Sequence, residues 1–369
     1  MSDTSNEVVT EAAEMAAAAG LVYVTDEMPG IRRVRTADGF AFLRADGKPL
    51  TVAAELARIA RLAIPPAYED VWICTSGRGH LQSTGRDARQ RKQYRYHTEW
   101  RSIRDEAKFA RMIDFGEGLP RLRLRLRREL AQKGLSREKV LAVVVSLLDA
   151  TRVRIGNAEY ARTNNSYGLT TLRNRHVKFV RDGRLVFRFR GKGGADHEIR
   201  VDDRRLVQLV RRCHELPGQS LFQYLDEDGN RRPVDSDQVN DYLKEAMGAD
   251  FTAKDFRTWA ATLRAIALMS STSLPVALGE SALKACIVAA IKQVAIELRN
   301  TPAVCRKSYI NPVVFDAWRD GSLHKMIRGD FSAAPRKAER CALAFLRRVA
   351  RKQSAAKNSP SQTPKASRS

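Results

Sequence analysis

The sequence predicts an α+β fold, a small β-rich N-terminal domain followed by a larger, mainly α domain. Two patterns predict it. Between residues 21 and 83 short apolar runs are cut by turn residues, as in a small twisted sheet. From about residue 104 to 330 apolar residues recur at helical spacing, broken by one clear hairpin. A third observation bears on what the fold serves: 65 Lys plus Arg stand against 42 Asp plus Glu, a formal charge of +23. That balance concentrates polyanions at the surface, with nucleic acid the first suspect. With 43% hydrophobic residues in a chain of 369, a real core and two or three domains can form. A passive counterion needs neither.

Residues 1–20 are acidic and Ala-rich and read as a frayed helical extension without chemistry. Strand pattern begins at residues 21–24, resumes at 31–34 after Pro29-Gly30, and turns at Asp38-Gly39 into 40–43. Residues 51–62 form a short helix stopped by Ile64-Pro65-Pro66, and 71–74 return to strand. The stretch 79–97 then interleaves arginines and a lysine with amides and two tyrosines. Arg86 and Lys92 suit phosphate contacts, and Gln82, Tyr94 and Tyr96 suit base or sugar contacts. The same stretch also reads as a solvated basic strand and helix start.

Leu119, Leu122, Leu126 and Leu130 set a helical stripe in which Leu124 is the one misfit. Ser136 opens a second helix through Val140, Leu141, Val144, Leu147 and Leu148. The hairpin pairs 185–190 with 197–201 across Gly191-Lys192-Gly193-Gly194. Beyond Asp330 the chain becomes a basic tail of low complexity, with disorder expected after about residue 353. The expected division is therefore an extension at 1–20, a β-rich domain at 21–103, a helical domain at 104–330 and a tail at 331–369.

Composition also excludes. The five cysteines are odd in number, widely spaced and free of C-x-x-C, which speaks against a disulfide framework and a zinc site and for a reducing compartment. No basic n-region precedes an apolar run, and no segment has the length to cross a bilayer, so a cytoplasmic protein is expected.

Four features stand in order: Arg154-Ile155-Gly156-Asn157 at a helix break, Lys192 at the hairpin tip, Lys254-Asp255-Phe256-Arg257 before a long helix, and Asn300 nine residues before Tyr309. Each alone is ordinary; together with the Pro65-Pro66 to Trp72 segment, residues 85–89 and Lys307-Ser308-Tyr309, the chain resembles the type IB DNA topoisomerases, above all the compact poxvirus-type enzymes and their bacterial relatives. The resemblance covers most of residues 21–325. It implies the catalytic fold shared with tyrosine recombinases, a C-shaped clamp, and a monomer on duplex DNA. It also implies relaxation of supercoils through a 3′-phosphotyrosine, with neither ATP nor metal. By it Arg154 and Arg257 take the places of two catalytic arginines, Lys192 that of the catalytic lysine and Tyr309 that of the nucleophile.

The chemistry asks for the same groups. A tyrosine, with a pKa of about 10, is a poor nucleophile unless cations stabilise the charge built at the attacked group. Forked guanidinium groups match the two non-bridging oxygens of a phosphate. The departing 5′-oxygen needs a proton, and a lysine whose pKa is lowered by neighbouring cations can supply it. The absence of a G-x-x-x-x-G-K-[ST] string agrees with a reaction that uses no ATP.

Two positions depart from the pattern. Asn300 stands where poxviral and eukaryotic members carry histidine; an amide can donate a hydrogen bond to phosphate but cannot transfer a proton, and it can also simply cap the turn before Thr301-Pro302. Asn157 and Tyr160 stand where the poxvirus enzyme places a lysine and a tyrosine on a groove-entering helix, so only the tyrosine is shared. Two other readings compete. A tyrosine site-specific recombinase normally has histidine three residues before the second arginine, here Lys254, and a helical N-terminal domain. A non-catalytic basic DNA-binding protein would bind duplex DNA in a salt-dependent way without forming an adduct.

Overall fold

The computed structural model describes residues 3–274, 279–327, 331 and 335–358. The chain divides into two compact units, residues 1–108 and 109–369.

The first unit opens with α1 (Asp3–Ala18), followed by β1 (Ile31–Thr36), β2 (Gly39–Leu43), α2 (Ala53–Arg61), β3 (Glu69–Ile73), β4 (Leu81–Arg86) and β5 (Lys92–Tyr96). The strands form one antiparallel sheet in the order β2-β1-β3-β4-β5. Because side chains alternate along a strand, central β3 supplies both faces. Val71 and Ile73 join Ile31, Leu50 and Ile59 of α2 in one cluster, while Trp72 joins Cys74 and Leu81 in another. Residues 21–24 were expected as a strand, yet they contribute only a bridge between Val22 and Gly79. The N-terminal extension also needs correcting. The end of α1 is anchored: Ala16 is fully buried with Leu21 and Trp100, with Ala12 and Met15 packed beside them. Small alanines on one face permit that close approach.

The second unit is mainly helical. It comprises most of α3 (Thr98–Ala131), then α4 (Arg137–Thr151), α5 (Ala158–Asn164), β6 (Val177–Phe179), β7 (Leu185–Arg190), β8 (Asp196–Val201), α6 (Arg204–His214), β9 (Gln223–Leu225), β10 (Arg231–Pro233) and α7 (Ser236–Met247). There follow α8 (Ala253–Ser271), α9 (Glu280–Glu297), α10 (Pro302–Ser308), α11 (Val313–Arg319), α12 (Ser322–Met326) and α13 (Pro335–Asn358). The helix run thus starts at Thr98 rather than near residue 104. Along α3 the stripe Leu119, Leu122 and Leu126 is buried, and the misfit Leu124 is exposed. Ser136 caps α4 by accepting from the Lys139 N–H. Val140 to Val145, Leu147 and Leu148 are all buried, so α4 is apolar all round and forms the centre of this unit.

The hairpin β7-β8 pairs from Leu185↔Val201 to Arg190↔Asp196 as expected, but it carries a third strand, β6, and a second hairpin, β9-β10, lies further along. The tail from 331 is corrected most. Residues 335–358 are one helix, α13, whose Ala342, Phe345 and Leu346 are buried in the main core. Disorder was expected after about residue 353, yet the helix continues to Asn358; residues 359–369 lie outside the described residues. Arg123 forks onto Glu339 of α13 at 2.6 and 2.8 Å and also pairs with Asp149, while Arg347 pairs with Glu117.

Candidate active site

α4 ends at Arg152 in the left-handed conformation, and the chain then turns through Arg154-Ile155-Gly156. Gly156 has φ +105°, and Gly168 packs so closely on this turn that a Cβ there would lie 2.5 Å from the Gly156 nitrogen. The Leu169 and Thr170 N–H groups donate to the Arg154 and Ile155 carbonyls at 3.0 and 2.7 Å. The backbone under Arg154 is therefore fixed from the opposite strand of the loop.

Arg257 is the fifth residue of α8, within the helix rather than before it. It is 4% exposed and donates to the carbonyls of Arg152 and Leu298, the latter at 2.8 Å. A planar five-donor group can brace two backbone segments and retain donors for an anion; its Nε is buried without a partner among the described residues.

Tyr309 closes α10 as its C-cap. Thr262 of α8 donates from Oγ1 to the Tyr309 carbonyl at 3.3 Å and accepts from the Asn311 N–H at 3.0 Å, fixing the backbone on both sides of the phenol. Tyr309 is 8% exposed, and the Arg257 guanidinium stands 5.2 Å above its ring. Burial pushes the phenol up, but Arg257, Arg154 and Lys254 together outweigh it, so the Tyr309 pKa lies below the usual value of 10. Arg154 faces the same hydroxyl, and burial followed by repulsion from Arg257 lowers its own pKa.

Lys192 sits exposed in the short turn joining β7 and β8. With Arg154, Arg257, Gly191, His197 and Arg299 it lines one pocket. Arg299 and His197 were not singled out from the sequence. Arg299 donates to the Glu198 carbonyl of β8 at 3.1 Å, linking the hairpin to the segment that leads into α10. Asn300 follows it; its Oδ1 accepts from the Thr301 N–H at 3.1 Å, so it does cap the turn, but its Nδ2 is buried and unpartnered among the described residues. Also among the described residues, no cluster of His, Cys, Asp or Glu side chains could hold a metal ion.

The remaining candidates lie elsewhere. On α5, the Asn157 side chain accepts from the Tyr160 N–H at 3.0 Å as N-cap, and Tyr160 is exposed. In the first unit Tyr94 is exposed and stacks on half-buried Tyr96 at 6.0 Å. Lys92 pairs with Asp26 at 2.6 Å and Arg86 with Asp70 at 3.4 Å. Gln82 is a correction: expected to contact DNA, it is 4% exposed. Its amide donates to the Ser76, Gly77 and Gly79 carbonyls, and its Oε1 accepts from Arg58. It holds a loop.

A buried phenol of lowered pKa beside two guanidinium groups, with an exposed lysine in the pocket that the same two guanidinium groups line, is an arrangement that can take a phosphodiester and exchange it onto oxygen. Residues 97–319 match the catalytic core of eukaryotic DNA topoisomerase I, and residues 39–87 match the N-terminal domain of bacterial DNA topoisomerase IB. The DNA topoisomerase 1B of Acanthamoeba polyphaga mimivirus is 33% identical over 288 residues, 77% of this chain and 85% of the relative. That of vaccinia virus (strain Copenhagen) is 24% identical over 264 residues, 69% and 76% of the two chains. The chain belongs to the type IB DNA topoisomerase family, and its function is that of a DNA topoisomerase of this type.

Proposed function

We propose that Tyr309 is the nucleophile with which this enzyme nicks one strand of duplex DNA, allows the duplex to rotate and reseals the nick. The Tyr309 phenol gives its proton to solvent, its oxygen bonds to phosphorus and the bond from phosphorus to the 5′-oxygen breaks. Lys192 gives its proton to that oxygen. Arg154 and Arg257 hold the two non-bridging oxygens as charge builds, and Asn300 Nδ2 adds a neutral donor. In the reverse step the 5′-hydroxyl attacks the 3′-phosphotyrosine, returning its proton to Lys192 and releasing the Tyr309 phenolate, which regains its proton from solvent. The phosphotyrosine retains the bond energy, so the cycle runs without ATP or metal. The enzyme works as a monomer in the cytoplasm, at the nucleoid, with Arg86, Lys92, Tyr94, Tyr96 and Tyr160 contributing to the grip on duplex DNA.

The observation that carries the roles is the placement of a buried Tyr309 under the Arg257 guanidinium, which lines one pocket with Arg154 and Lys192. A recombinase reading is weakened by the N-terminal sheet and by Lys254 at the position where that pattern has histidine. The test is a duplex labelled separately at each end of the scissile strand and denatured by detergent during cleavage. The 5′-labelled fragment should become protein-linked and the 3′-labelled one should be released. Linkage of the opposite fragment, or an adduct that persists in Tyr309→Phe, would contradict the assignment.

A further inference from the structure

We propose that His197 is a positioning residue for the proton donor: its ring is the support on which the Gly191-Lys192 backbone rests. The inference deepens the reading of Lys192 as general acid and rests on it. In the β7-β8 ladder Phe189 and His197 are directly paired, and their rings lie 5.1 Å apart and 7° from parallel. Both are buried. The imidazole reaches past Phe189 to Gly191: a Cβ on Gly191 would lie 2.3 Å from the His197 Nε2 and 2.4 Å from its Cδ2. No other residue type fits between this ring and the turn without displacing one of them.

The turn itself is held only lightly. The Gly191 N–H donates to the Ala195 carbonyl at 2.7 Å and the Gly194 N–H to the Gly191 carbonyl at 3.0 Å, while Gly193 and Gly194 both have positive φ. Glycines lower the barrier to other turn shapes. A ring packed against Gly191 removes that freedom at the residue immediately before Lys192. The ring stays neutral there, because burial and then Arg299, Arg154 and Arg257 hold the His197 pKa down at about 4. It neither repels Lys192 nor serves as a proton source at neutral pH, and its Nδ1 has no partner among the described residues. Its contribution is shape.

The distinction between positioning a proton donor and maintaining the fold can be read from the leaving group. An alkoxide needs the proton, whereas a bridging sulfur in place of the 5′-oxygen leaves as a thiolate of pKa about 8.5 and needs none. Single-turnover cleavage is to be measured on both substrates for wild type, Lys192→Ala, His197→Ala and Gly191→Ala. Lys192→Ala should lose on the order of a hundredfold on the oxygen substrate and recover with sulfur. His197→Ala and Gly191→Ala, which disturb the same contact from its two sides, should each lose about tenfold or more on oxygen and also recover with sulfur. If the two variants slow both substrates equally while Lys192→Ala is rescued, the positioning role is overturned and Lys192 stands. If Lys192→Ala is not rescued, the general-acid reading fails and this inference with it. Should His197→Ala not fold, Gly191→Ala decides alone, and His197→Gln serves if both fail.

Discussion

At the scale of single residues, Tyr309 owes its place to Thr262. Thr262→Val keeps shape but leaves the Asn311 N–H, 8% exposed as a residue, without an acceptor. We expect a loss of about 1–3 kcal/mol in denaturant unfolding, together with slower cleavage. Arg257→Lys should be worse for chemistry than for folding. A lysine cannot brace two carbonyls and face a phosphate at once, and cleavage should fall about a hundredfold or more with DNA binding largely retained. The pH dependence follows from the charges around the phenol. Tyr309 must lose its proton to attack, so the cleavage rate should rise with pH and level off below pH 10. Lys254→Ala removes one cation that lowers this pKa and should move the midpoint upward; an unchanged midpoint would show that Lys254 does not act on the phenol. The residues assigned to the reaction, Arg154, Lys192, Arg257 and Tyr309, were legible in the sequence as types that phosphoryl exchange demands. Thr262 and Arg299 were not, since each meets a partner tens of residues away; His197 was not, because its packing on Phe189 and Gly191 depends on the burial of the hairpin face; and Gln82 misled because the burial of β4 is set by its sheet neighbours.

At the scale of elements, α13 is where sequence reading failed for an identifiable reason. Ala342, Phe345, Leu346 and Val349 recur at helical spacing, but seven Lys and Arg between 335 and 352 dominate the composition and hide the stripe. Phe345 is 2% exposed in the main core, so Phe345→Ala should cost about 3–5 kcal/mol by thermal or denaturant unfolding. An effect under 1 kcal/mol would mean that α13 is not part of the folded unit. The short strands β6, β9 and β10, three residues each, are too brief to show alternation. Long or sharply bounded elements read well: α4 from its cap and continuous apolar run, β7-β8 from alternation around a glycine turn, and α3 down to the exposed Leu124.

At the scale of the whole molecule, two families of charge act. The excess of +23 supplies affinity that falls linearly in log–log form as salt rises. Against this stand buried neutral histidines: His176 and His197 are both held near pKa 4, burial being the main cause. An unfolded histidine binds its proton near pH 6.5, so the native state is favoured above that value and loses stability as pH falls from about 6.5 to 4. The unfolding midpoint should drop over that window, and by less in His176→Gln. The two-unit organisation was legible in the change from short strands to helical periodicity, and the matches at residues 39–87 and 97–319 follow the same change. The most direct measurement is relaxation of supercoiled plasmid by wild type and Tyr309→Phe, with EDTA and without ATP, under matched DNA binding. Relaxation by wild type alone is the expected result; equal relaxation by Tyr309→Phe, or none by a wild type that binds the plasmid, would contradict the tyrosine mechanism.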